Sequence, residues 1–153
     1  MRLDYAALTP EPAQHLFAIS AAVRHSALSG TVRELTAVYI SQLNGCAHCI
    51  AVHWEKALKE GVSKRQLQLL PALDEAVRGD GVGVYDSAES CALQVARRLT
   101  VTPANGVSAD LWQTAQATFG EETLMWLIQH ILLMNSWNRL SIALEIAPPQ
   151  DST

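Results

Sequence analysis

The chain has 153 residues, 49% of them hydrophobic and only 17% charged, with a formal net charge of -4. A chain of this length makes one ordinary domain and buries roughly 70% of its unfolded surface without disulfide staples, but charge this sparse, against about 25% in a usual soluble domain, leaves a large apolar surface to be hidden, and subunit contact is one natural place. The acidic balance argues against nucleic acid or an anionic membrane as partner, because both need a basic patch to displace counterions.

Nearly every segment carries helix punctuation and none alternates convincingly with period two, which predicts an all-α fold in a single domain over residues 1–153. The opening "MRLDYAALTPEPAQ" has no apolar h-region and does not read as a secretory signal. Thr9 is a candidate N-cap, with Pro10 at the first helical position and Leu16, Ile19 and Val23 forming an apolar stripe. Residues 31–43 place Val32, Leu35, Tyr39 and Leu43 on one stripe at about 100° per residue, and Asn44-Gly45 breaks the pattern. It resumes over 46–60 and stops at Gly61. "SKRQ" at 63–66 reads as a capping box opening a short helix that ends near Pro71.

The loop that follows contains "GDGVG" at 79–83, but no strand precedes it and its spacing is not that of a dinucleotide turn, so neither NAD(P)H nor any other cofactor is expected. Asp86 or Ser87 caps the next helix, 87–99, where Cys91 reads as a buried structural thiol. Ser108 caps a further helix closed by Gly120, and the last long helix runs from 121 to Pro148-Pro149. Met125 and Met134 read as packing, His130 as a satisfied core or interface histidine, and Trp126 and Trp137 as lining a pocket or an interface.

Two runs carry no formal charge, 35–54 and 123–138. The first is interrupted by Gln42, Asn44, Gly45, His48 and His53, and the second is too short to span a membrane. Helices apolar nearly all round belong at the centre of a bundle or at a subunit interface, so the thiols inside the first run sit in a low-dielectric place. Three cysteines, an odd number, read as thiols of a reducing cytoplasm and not as a disulfide framework.

"NGCAHCIAVH", residues 44–53, carries the chemistry. If a helix begins at about Cys46, Cys49 lies about 60° from it around the axis, His53 about 40° from Cys49, and His53 returns to within about 20° of Cys46. Both thiols and one imidazole then share a face, while His48 points roughly the other way. Residues three apart in a helix are close enough for a disulfide. A thiol with an ordinary pKa of ~8.5 is only a few per cent thiolate at neutral pH, and a helix N-terminus and a nearby imidazole are two means of raising that fraction. A bare C-x-x-C also fits two small buried hydrophobes. It fits part of a zinc set too, with Cys46, Cys49, His53 and His48, although no second C-x-x-C or H-x-x-H accompanies it. A redox dithiol leads. Spacing alone leaves open which cysteine attacks: Cys46 is nearer the helix dipole, whereas Cys49 is one turn from His53.

The run "RELTAVYISQLNGCAHCIAVHWEKAL", residues 33–58, resembles the core motif of AhpD-like alkylhydroperoxidases of the carboxymuconolactone decarboxylase superfamily, in which a glutamate precedes C-x-x-C-x-x-x-H at a fixed spacing. Glu34, Cys46, Cys49 and His53 match it, and His48 stands where that family often has histidine or tyrosine. "NSWNRLSIAL", 135–144, looks like the family's closing helix, so the resemblance covers about residues 20 to 145.

The resemblance implies a helical homo-oligomer, a homotrimer or hexamer, and a peroxidase or disulfide oxidoreductase. Cys49 would attack a peroxide, Cys46 would resolve the sulfenic acid, Glu34 and His53 would relay protons, and a dithiol or lipoyl-type donor would restore the thiols. Two other readings stand beside it: a non-catalytic redox or metal-sensing module, and a lactone decarboxylase, a branch that typically lacks the cysteine pair. On the wheel Glu34 lies opposite the apolar stripe, a position that for an isolated glutamate reads as solvent-facing. Yet it is the last charge before twenty uncharged residues, and a buried carboxylate of raised pKa would suit proton transfer.

Overall fold

The computed structural model describes residues 1–77, 83–101 and 106–150, and among them every regular element is a helix. In chain order these are α1 (Tyr5–Leu8), α2 (Pro10–Arg24), α3 (Gly30–Asn44), α4 (Ala47–Lys59), α5 (Lys64–Leu69), a 3-10 turn (Leu70–Ala72), α6 (Leu73–Ala76), α7 (Ser87–Val101) and α8 (Ala109–Ala143). The fold is all-α, as expected.

Helix α3 is the axis of the molecule: Val32 through Ser41 are all buried, the charged Arg33 and Glu34 among them. Its two flanks feed different cores. Val32, Ala37 and Ile40 pack with Cys91, Val95, Leu124, Leu127 and Ile131 of α7 and α8, whereas Leu35, Val38 and Tyr39 pack with Ala57, Leu67, Leu70, Leu73 and Leu93. Leu35 is fully buried, and truncating such a leucine to alanine costs about 2–5 kcal/mol.

Local chemistry sets the element ends. Ser29 caps α3 by accepting from the Val32 amide, and Gly45 ends it at φ 71°, left-handed backbone that favours glycine. Ser63 and Gln66 form the capping box. Asp86, not Ser87, caps α7: the Glu89 amide donates to Asp86 Oδ1 at 2.8 Å and Glu89 Oε2 accepts from the Asp86 amide at 3.0 Å. Ser108 caps α8, and Gly120, at φ 71° and ψ 170°, kinks that helix where the sequence marks a closure.

Several details differ from the sequence reading. Thr9 precedes α2, but its hydroxyl donates back to the Tyr5 carbonyl and caps nothing. The short α1, the 3-10 turn and α6 carry too few residues to show a period. Leu43, Ile19 and Met125 are exposed, because the neighbours that cover α3, α2 and α8 do not reach those positions. The last helix stops at Ala143, since Glu145 turns left-handed at φ 50° and the Ile146 amide donates back to Ser141. That turn is pinned from outside: the Arg2 amide donates to the Leu144 carbonyl, and the Arg2 side chain pairs with Glu145. Of the 79–83 loop, residues 79–82 lie outside the described residues. Among the described residues no helix is long and apolar enough to cross a membrane.

Candidate active site

The turn at Gly45 hands the chain to α4 through Cys46, whose amide donates to the Ser41 carbonyl at 2.9 Å. Cys46 is the N-cap of α4 and not its first helical residue, and its Sγ accepts from the Cys49 amide at 3.3 Å. Cys49 is therefore the third residue of the helix, over amides with no intrahelical acceptor. A developing thiolate is favoured there by the positive helix end. The two sulfurs are joined as a disulfide, with Cα atoms 5.3 Å apart, and both cysteines are buried. Cys91 is a free, buried thiol pushed up by desolvation.

Cys49 lines a cavity of about 610 Å³, and His48, His53 and Glu34 line it too. Cys46 does not. His53 Nδ1 donates to Glu34 Oε2 at 2.7 Å, which leaves Nε2 with no partner among the described residues. Glu34 is 6% exposed, so the solvent-facing reading of its wheel position does not hold. Neither does the raised pKa. Burial alone would lift this carboxyl, but the hydrogen bond from His53, the charge that ring carries when protonated, and the adjacent Arg33 guanidinium outweigh it and hold the group down to about 2. Glu34 is a permanent carboxylate at neutral pH.

His48 also departs from its wheel position. The tail after α8 folds back over the start of α4, so that His48 Nδ1 donates to the Ala147 carbonyl at 2.8 Å while the ring borders the cavity. Neighbours on another segment, invisible to a wheel, set its place.

Further residues extend the cavity wall. Arg33 Nε donates to Glu34 Oε1 at 3.0 Å and its Nη2 to Glu60 Oε1 at 3.0 Å, making a chain Glu60–Arg33–Glu34–His53. Gly30 permits this, since a Cβ there would fall 1.9 Å from Glu60 Oε2. His130, 4% exposed, donates from Nε2 to the Arg33 carbonyl at 2.9 Å, and burial pushes its imidazole down to about 4. It is a satisfied core histidine. The only sequence hint of Arg33 was its place beside Glu34. Trp137 lines the cavity and donates from Nε1 to Ser20 Oγ, while Trp126 packs against the α7–α8 core. Among the described residues no group of three or more His, Cys, Asp or Glu side chains is placed to hold a metal ion.

An all-helical chain with a cysteine pair at a helix start and a glutamate–histidine pair beside it defines a class before any relative is compared. Residues 10–98 match the carboxymuconolactone decarboxylase family, and the chain belongs to that family. It is 31% identical over 143 residues to the uncharacterized protein YdfG of Bacillus subtilis strain 168, covering 94% of this chain and 93% of that one. Its fold is similar to a crystal structure from Agrobacterium tumefaciens of a protein of unknown function, proposed there to be an antioxidant defence protein AhpD. The TM-score is 0.87 at 24% identity, over 98% of this chain and 99% of the other.

Proposed function

We propose that the protein is a thiol peroxidase that cycles Cys46 and Cys49 between dithiol and disulfide. The observation that carries this reading is the seat of Cys49: third in α4, bonded to Cys46, on a cavity that it shares with a histidine held by an ionised glutamate.

In the reduced protein, His53 takes the Cys49 proton at Nε2 while Glu34 holds Nδ1 and balances the charge. The thiolate attacks one peroxide oxygen, the S–O bond forming as the O–O bond breaks, and the departing alkoxide takes a proton from His53 and leaves as the alcohol. Cys49 is now a sulfenic acid. The Cys46 sulfur displaces its hydroxyl, giving the disulfide and water. A dithiol donor restores both thiols by exchange and leaves as its own disulfide. Cys49 is the attacking sulfur in this scheme because it lines the cavity and Cys46 does not. Glu34 positions and compensates, since a carboxyl held near 2 does not carry the proton itself.

The working protein is proposed to be a homotrimer or hexamer. Met125, Leu132 and Ile142 of α8 are exposed apolar side chains that a second copy would cover.

The test is peroxide consumption with dihydrolipoamide as donor. The reading expects turnover by wild type and none by Cys49→Ser. Consumption that persists in Cys49→Ser, or a wild type inert towards every peroxide offered, would end it.

A further inference from the structure

Helix α4 lines the cavity well beyond its reactive end. Cys49, His53, Lys56 and Lys59 follow at steps of three and four, so one face of the helix forms a continuous wall. At about 1.5 Å per residue, Lys56 lies about 10 Å and Lys59 about 15 Å along the axis from Cys49. Arg24, at the end of α2, lines the same cavity.

The charges along this wall are unequal. Its two carboxylates, Glu34 and Glu60, are both committed to Arg33. Arg24, Lys56 and Lys59 make no ion pair among the described residues. A chain of net charge -4 thus lines this cavity with four Arg and Lys side chains against two carboxylates, a surplus of two positive charges.

Another part of the lining is aromatic. Phe17 and Trp137 lie tilted by 37° with centroids 5.2 Å apart, and Tyr5 meets Trp137 edge-on at 6.0 Å. Phe17 remains 49% exposed, an apolar surface left open although the fold has two cores in which to hide one. A cavity of about 610 Å³ is within the range that holds drug-sized ligands, and hydrogen peroxide would need neither its volume nor its charge.

We propose that the cavity takes an elongated amphipathic carboxylate, with the hydroperoxide at Cys49, the hydrocarbon along Phe17 and Trp137, and the carboxylate among Arg24, Lys56 and Lys59. The substrate class is an organic hydroperoxide whose acid group lies about 10–15 Å from the peroxide, the reach set by the helix rise. The proposal rests on the thiol-peroxidase reading for its chemistry but not for its binding.

Binding is therefore measured apart from turnover. Calorimetric titration of the oxidised protein with ricinoleate, a hydroxy fatty acid standing in for the alcohol product, is compared with its methyl ester, both below the concentration at which they form micelles. Ricinoleate binds about tenfold tighter at low salt, as partly screened surface charges add. The gap closes in high salt and in the Arg24→Gln, Lys56→Gln, Lys59→Gln variant. In stopped flow, linoleic acid hydroperoxide oxidises the reduced wild type faster than its methyl ester does, while tert-butyl hydroperoxide reports the thiol chemistry alone. Equal binding of acid and ester, or an acid preference undiminished in the triple variant, would overturn the proposal even if tert-butyl hydroperoxide is consumed. Inertness towards every peroxide with the binding preference intact would instead sink the peroxidase reading and uphold the carboxylate site.

Discussion

Helix α3 holds a polar network at each end, and the two are built differently. At its C-terminal end Asn44 Nδ2 donates to Asn135 Oδ1 and Asn138 Oδ1, both at 2.9 Å, Asn138 Nδ2 donates to Ser41 Oγ, and Asn135 Nδ2 to Thr100 Oγ1. These groups are neutral, and one charged side chain joins them from the surface: Arg139 Nη1 donates to Asn135 Oδ1 at 2.7 Å. The single buried side-chain polar atom without a partner among the described residues, Gln42 Oε1, belongs to neither network. At the N-terminal end the members are charged, and the chain finishes on a histidine that borders a cavity and whose Nε2 has no partner among the described residues. A network of amides and hydroxyls with no end at the cavity fixes structure, here the turn that delivers Cys46. A charged network ending at a cavity has somewhere to send a proton.

If that contrast is right, mutations at the two ends separate rate from stability. The largest effect falls on the sulfurs that the open network serves. Cys49→Ser abolishes peroxide turnover, whereas Cys46→Ser forms one sulfenic acid per chain and stalls, as trapping and mass mapping would record. Cys91 stays reduced in both. The reverse pattern would exchange the roles of the two cysteines.

Glu34→Gln is the next largest and disturbs both quantities. The rate of Cys49 oxidation falls about 100-fold, within the range for lost acid–base help. Removing a buried carboxylate leaves Arg33 with Glu60 alone, and denaturant unfolding registers a loss of about 1–3 kcal/mol. Asn138→Ala, at the C-terminal end of α3, leaves Asn44 and Ser41 short of partners and lowers stability by a similar ~1–3 kcal/mol, with the first oxidation step at the wild-type rate. A comparable drop in that rate would erase the distinction between the networks.

The smallest effect is on pH dependence. His130 titrates near 4 in the folded chain against an ordinary 6.5. Between those values the unfolded chain binds the extra proton, so stability falls as pH drops through that window, by up to about 2 kcal/mol from pH 7 to 5. Glu34 acts lower down: its contribution is full above the ordinary 4.5 and is lost as pH falls towards 2. Urea titrations at pH 7 and 5 should therefore show His130→Gln, which can still donate to the Arg33 carbonyl, losing less than wild type between the two.

Much of the fold is legible in the sequence because its helices end on residues with one physical reading, such as Gly45 and Gly120 in positive-φ backbone and Ser63 with Gln66 as a reciprocal cap. Cys46, Cys49 and His53 are legible as neighbours since one helix carries them. Glu34 is nineteen residues from His53, and its spacing is informative only through the family resemblance. What the sequence hides is contact between segments. Arg33 meets Glu60 across 27 residues and His130 across 97, and no periodicity encodes such pairings. The direction of the Glu34 shift is hidden for the same reason. Burial can be inferred from the uncharged run that follows, but the partners that reverse its effect cannot.

The central claim is that His53, held by Glu34, works on the Cys49 thiol. His53→Gln isolates it, because glutamine can still donate to Glu34 and leaves the buried Arg33–Glu34 pair intact. Stopped-flow oxidation of the reduced protein by tert-butyl hydroperoxide, followed from pH 5 to 9 beside a thermal melt, is the direct measurement. The account predicts a rate about 100- to 10,000-fold below wild type with a melting temperature shifted by no more than a few degrees. A wild-type rate across that pH range would contradict it.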